Sequence, residues 1–114
     1  MDDLAVLEVE HHEGVGVLRL SGEIDVSNVD DITGQLASAL SGVRRGVIDL
    51  SGLQYLDSAG VGMLITVAAE AHARGAPLHF VLPQEAPIER ILMIVDLPRL
   101  AVFHSSLADA LPLP

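Results

Sequence analysis

The sequence predicts a single α/β domain built on a mixed, largely parallel β-sheet packed with α-helices. Three observations predict it. Apolar residues alternate near the N-terminus, helical apolar stripes then alternate with short continuous apolar runs, and glycine or proline stands at most of the changes of period. The chain has 114 residues, 50% of them hydrophobic, which is enough for one core and too few residues for two ordinary domains. One domain over residues 1–114 is expected.

Ala5, Leu7 and Val9 alternate with Glu8 and Glu10, the period of a strand with one wet face. His12-Glu13-Gly14 reads as a turn, and Val15 to Leu20 as the second strand of a hairpin. Val29, Ile32, Leu36 and Leu40 then form a helical stripe, with Ser27 or Asn28 available as its cap and Asp30 and Asp31 in a first turn that favours anions. Gly42 ends that helix, and Val47-Ile48-Asp49-Leu50 suits a strand buried on both faces, reached by a parallel crossover. Val61, Leu64, Ile65, Ala68, Ala71 and His72 mark a second helix stopped by Gly75. Pro77 introduces a strand over Leu78 to Leu82, and Pro87 can open a third helix with the stripe Ile88, Ile91, Leu92 and Val95. A strand at Ala101 to Phe103 and a helical turn opened by Ser105 or Ser106 close the order β-β-α-β-α-β-α-β-α.

Charge narrows the function classes. Sixteen acids against six cations give a net charge of −10, and the cations, all arginine, are scattered rather than gathered into a patch. Direct binding of nucleic acid or insertion into an anionic membrane is therefore not expected, and a basic partner surface is. Without cysteine there is no disulfide, thiolate metal site or thiol catalysis. The N-terminus lacks the cationic start of a signal peptide, and the longest uncharged apolar stretch, from Val61, stops at Glu70, short of a membrane span. A cytoplasmic protein is expected.

The segment Ser51 to Gly60 reads as a loop joining a buried strand to the start of the second helix, where ligands collect in α/β sheets. Ser58 could cap the free N–H groups there, hold a phosphate, or accept one from a kinase beside Asp57. Small Ala59, Gly60 and Gly62 leave the helix start open, and Met63 and Val67, off the apolar stripe, suggest an exposed docking face. No Gly-x-Ser-x-Gly elbow is present, and none of His11, His12, His72, His79 or His104 has a context that marks a base or a metal pair. A hydrolase is thus not expected, nor a metal site. Glu23, Asp25, Asp30 and Asp31 form an acidic cluster better read as a solvated helix start than as a cation site.

Three segments stand in order along the chain: Leu20-Ser21-Gly22-Glu23-Ile24-Asp25, then Val47 to Leu53 running on to Leu56-Asp57-Ser58-Ala59-Gly60-Val61-Gly62, and Ile88-Glu89-Arg90-Ile91-Leu92. Together they resemble the STAS domain, specifically the small stand-alone bacterial anti-sigma factor antagonists. The middle segment is the specific one. The resemblance implies the STAS strand order and a partner-switching role. The unphosphorylated protein binds an anti-sigma factor that is a serine kinase, phosphorylation ends that binding, and a phosphatase restores it. It maps the phosphoacceptor onto Ser58, its preceding acid onto Asp57, and the acid of a neighbouring Gly-Glu-x-Asp segment onto Asp25. Asp25, Asp57, Ser58, Ala59, Gly60 and Met63 are the expected partner-binding residues. ATP would belong to the kinase, so no cofactor is implied and the chain itself is not expected to be an enzyme. Family members often carry serine or threonine after the phosphoacceptor, where this chain has Ala59. The alternative is a STAS scaffold or transporter-associated subunit in which Ser58 is only a helix cap.

Overall fold

A computed structural model describes residues 4–95 and 97–111. The elements follow the expected order: β1 (Ala5–His12), β2 (Val15–Ile24), α1 (Val29–Leu40), β3 (Arg45–Leu56), α2 (Ser58–Ala73), β4 (His79–Val81), α3 (Glu89–Ile94), β5 (Val102–His104) and α4 (Leu107–Ala110). A short 3-10 turn, Leu97–Arg99, lies between α3 and β5. The five strands form one sheet in the order β1-β2-β3-β4-β5, antiparallel between β1 and β2 and parallel elsewhere.

The β1–β2 connection is a two-residue hairpin, with His12 opposite Val15. Glu13 and Gly14 both have positive φ, at 51° and 86°, the backbone that matches strand twist in such a turn. Tertiary pairing sharpens other boundaries. β4 keeps only three of the five residues expected, and β5 is shifted one residue toward the C-terminus. The last turn is capped by Ser106, whose hydroxyl accepts the Asp109 N–H at 3.2 Å.

Alternation divides the core. Leu18, Leu20, Ile48, Leu50 and Phe80 point to the face covered by α1, α2 and α3. Val17, Val47 and Val81 point to the other face, where Ala110 of α4 completes a smaller cluster with Leu107 and Leu111 beside it. Val47, Ile48 and Leu50 are fully buried, as a central strand covered on both faces requires.

The largest difference from the sequence reading lies in β3. Ser51 to Leu56, expected as loop, continues the strand and pairs with the end of β2, bringing Leu56 opposite Ile24. Two register shifts, between Arg19 and Ser21 and between Gly22 and Glu23, give β3 two extra residues. These bulges break the period-two pattern, so the buried residues Leu53 and Leu56 fall three apart and the segment does not look like a strand.

The second helix is also rotated relative to the stripe read from sequence. Its buried side runs through Met63, Gly60, Ala71, Leu64, Ala68 and Val61, an arc of about 160° at 3.6 residues per turn. Met63, expected to be exposed, is 5% exposed and belongs to the core, Val67 is half-buried, and His72, placed on the stripe, faces solvent. The helix is apolar around most of its circumference, so periodicity alone could not choose the inner face.

Candidate functional site

The end of β3 delivers Asp57 to the cap position of α2. Asp57 has extended backbone, and its Oδ1 accepts the Gly60 N–H at 3.0 Å. Its second oxygen, Oδ2, accepts the N–H of Val26 at 3.0 Å, and the Asp57 N–H donates to the Ile24 carbonyl at 3.2 Å. One carboxylate therefore caps the helix and ties it to the β2–α1 loop. The reading in which Ser58 caps the helix is corrected: an acid one residue earlier accepts the Gly60 N–H instead.

Ser58 is the first helical residue, is exposed, and its hydroxyl has no hydrogen-bond partner among the described residues. It stands where unpaired N–H groups and the helix dipole favour an anion. Gly62, one turn on, is exposed, with nothing within 4 Å of where a Cβ would lie. Ala59 is half-buried. Gly60 does not keep the site open, as the sequence suggested. It is buried, and a Cβ there would stand 2.5 Å from Leu56 Cδ1 and 3.2 Å from Ile24 Cγ2, so glycine lets α2 sit down on the strand ends.

Asp25 lies in the loop that Asp57 holds. Its Oδ1 accepts the Ser27 hydroxyl at 2.5 Å and the Ser27 N–H at 2.9 Å, and these bonds, the hydroxyl first, hold its carboxyl below the usual carboxylate range. Asn28 precedes α1 but does not cap it. Its Oδ1 accepts the Asp25 N–H at 2.9 Å and its Nδ2 donates to the Glu23 carbonyl at 2.9 Å, so the side chain folds the loop rather than the helix. The braced loop presents Val26, 77% exposed, next to the start of α2.

Beside Ser58 runs a groove of about 360 Å³ lined by Leu56, Asp57, Ser58, Val61, Gly62, Ile65, Ile91 and Val95. Among the described residues, its polar side chains are those of Asp57 and Ser58. The structure thus brings Asp25, Asp57, Ser58 and Ala59 to one surface and leaves Met63 in the core behind it. Sequence reasoning missed Val26, Ile65, Ile91 and Val95 as surface residues of this site. Periodicity places Ile91 and Val95 on a core stripe, yet Ile91 is 41% exposed, and a stripe slightly too wide for its contacts was the available signal.

Among the described residues, no group of three His, Cys, Asp or Glu side chains is arranged to hold a metal ion, and no helix is long and apolar enough to cross a membrane. The STAS domain profile matches residues 6–110. This chain belongs to the STAS family. The STAS chain is 30% identical over 109 residues to the anti-sigma F factor antagonist of Paenibacillus polymyxa, covering 92% of this chain and 91% of that protein. Its fold superposes on an anti-sigma factor antagonist from Mycobacterium paratuberculosis with a TM-score of 0.83 and 27% identity, covering 94% and 91% of the two chains. The phosphorylated form of the Bacillus cell fate determinant SpoIIAA shares the fold at a TM-score of 0.66 and 21% identity, over 92% and 96% of the chains.

Proposed function

We propose that this STAS protein is an anti-sigma factor antagonist that binds a serine-kinase anti-sigma factor through the surface around Ser58, and that phosphorylation of Ser58 ends the binding until a phosphatase removes the group. The observation that carries the reading is the division of work at the start of α2. Asp57 makes the capping bond, while the Ser58 hydroxyl is exposed and unbonded among the described residues. A kinase can reach such a hydroxyl without breaking a hydrogen bond of the fold. The similarity to the Paenibacillus antagonist supports the same reading. In the alternative, a STAS scaffold or transporter-associated subunit without a phospho-switch, Ser58 would not serve as the helix cap either, since Asp57 makes that bond.

The chemistry of the surface supports this reading. Unmodified, it offers the apolar lining Val61, Ile65, Ile91 and Val95 and the exposed Val26 next to a small neutral hydroxyl. A phosphate would add about −1.5 to −2 charge beside the Asp57 carboxylate. A thousandfold loss of affinity needs only about 4 kcal/mol, within reach of one dianion desolvated in a tight interface.

The test is a quantitative pull-down from native lysate with wild type, Ser58→Ala and Ser58→Asp as baits, scored for a serine kinase of the anti-sigma type. Retention by wild type and Ser58→Ala with loss from Ser58→Asp is expected. Equal retention of that kinase by all three would overturn the switch.

A further inference from the structure

We propose that the open edge of β1 and the acidic groove beside it take up an extended, cationic segment of a partner protein as an added β-strand. This surface is separate from the Ser58 groove and does not depend on the switch.

β1 is the outermost strand of the sheet, and its pairing to β2 runs without a register shift from Ala5 opposite Gly22 to His12 opposite Val15. The Leu4 carbonyl accepts the Glu23 N–H at 2.8 Å, so Leu4 faces β2. Antiparallel ladders alternate, which turns the N–H and C=O groups of Ala5, Leu7, Val9 and His11 to the free edge. No described residue bonds them. Proteins usually protect such an edge with charged side chains, proline, a bulge, shortness or a covering element. β1 is eight residues long, has no proline or bulge, and carries as charges only the acids Glu8 and Glu10, which oppose an acidic strand rather than a cationic one.

Between this edge and α1 lies a groove of about 570 Å³. Leu7, Val9 and Ala39 give it an apolar lining, and Gly34 adds no side chain to obstruct it. Asp30 and Asp31 supply its charge, and no cation among the described residues lines it. Asp31 accepts a bond from Gln35 at 3.1 Å, while Asp30 has no hydrogen-bond partner among the described residues.

Charge selects the occupant. A second copy of this chain carries the same net charge of −10 and would bring its own Glu8 and Glu10 to an edge that already holds two acids, so like charges oppose pairing. A strand with arginines on its α1-facing side suits the groove better. Their aliphatic stems would cover Leu7 and Val9 while their heads reach Asp30 and Asp31, and the main chain would complete the β1 ladder.

The probe is an acetylated eight-residue peptide alternating arginine and valine, with a glutamate-valine peptide as its counterpart. Titration at low salt, with amide exchange read residue by residue, should show binding of the arginine peptide only and slowed exchange at Leu7 and Val9. Asp30→Asn with Asp31→Asn should weaken binding roughly three- to tenfold, as two surface ion pairs would. Glu85→Gln with Asp109→Asn, which changes net charge equally, should leave it unaltered. Val9→Pro should abolish the exchange effect, because its outward N–H is not needed by the β1–β2 ladder. If that variant fails to fold, the contrast between the two charge pairs and the site of protection in wild type decide the matter. The proposal is overturned if the arginine peptide does not bind, if the glutamate peptide binds equally, if both charge pairs weaken binding alike, or if protection appears at α2 instead of β1.

Discussion

Asp57→Ala removes two hydrogen bonds in one substitution, the cap to Gly60 and the tie to Val26, both 3.0 Å long. Loss of an aspartate cap costs about 1 kcal/mol. The bond to Val26 joins an exposed loop, and its net worth is also about 1 kcal/mol. Together they destabilise the domain by about 2 kcal/mol, a fall in Tm of about 8 °C if each kcal/mol moves a chain of this size by about 4 °C. Asp57→Asn keeps one acceptor and turns an amide toward the other N–H, so it should lose about half as much. Ser58→Ala should stay within about 0.5 kcal/mol of wild type, because the hydroxyl it deletes bonds to nothing described. Urea unfolding at neutral pH, with Tm as a second readout, separates the three variants. If Ser58→Ala costs as much as Asp57→Ala, the hydroxyl is the true cap and the assignment of the free serine fails.

Three further outcomes follow from the packing and titration of the fold. Gly60→Ala forces a methyl against Leu56 and should cost about 1–3 kcal/mol in urea unfolding, whereas Gly62→Ala, with open space around it, should cost nothing or stabilise the helix slightly. Met63→Ala should cost about 2–5 kcal/mol, as for a core methionine, and a near-neutral result would restore the exposed position read from sequence. His79 sits in β4 with its Nδ1 2.9 Å from His104 Nε2; burial, then His104, then Arg45 lower its pKa below the ordinary value of about 6.5. The unfolded chain therefore binds this proton more readily, so stability is lost as pH falls below about 6.5 and stops falling once pH passes the folded value. Melts between pH 5 and 8 should show a shallower slope for His79→Gln, and identical slopes would remove His79 as the cause.

The fold was legible because local pattern and tertiary environment agree over most of the chain. Val47, Ile48 and Leu50 form an apolar run because β3 is covered on both faces, and Glu8 and Glu10 alternate with apolar residues because β1 has a wet face. The misreadings fall where one side chain serves two demands. Between Ser51 and Leu56 the bulges put buried residues three apart, so neither strand nor helix period applies. In α2 almost every residue is apolar or small, leaving the inner face to be set by neighbouring elements that no sequence window contains. The site was half legible. Asp57 and Ser58 stand out as a strand-to-helix junction, but which of them caps depends on backbone geometry. Val26, Ile65, Ile91 and Val95 meet around them only after β2, α2 and α3 are assembled.

The assignment of the cap to Asp57 also bears on how a modification at Ser58 would act. If the serine were the cap, phosphorylation would alter the helix it holds, and loss of partner binding could follow from local unfolding. With Asp57 as cap, the Gly60 and Val26 bonds do not use the serine at all. A phosphate at the first helical position would then add charge where the helix dipole tolerates it, so the fold has little reason to change. Under the proposed switch the energy that ends binding must come from the interface, through repulsion and desolvation against the partner. The partner would therefore meet the Ser58 surface with groups that cannot accommodate a dianion, apolar or acidic rather than arginine-rich. An arginine cluster there would strengthen on phosphorylation and reverse the sign of the switch.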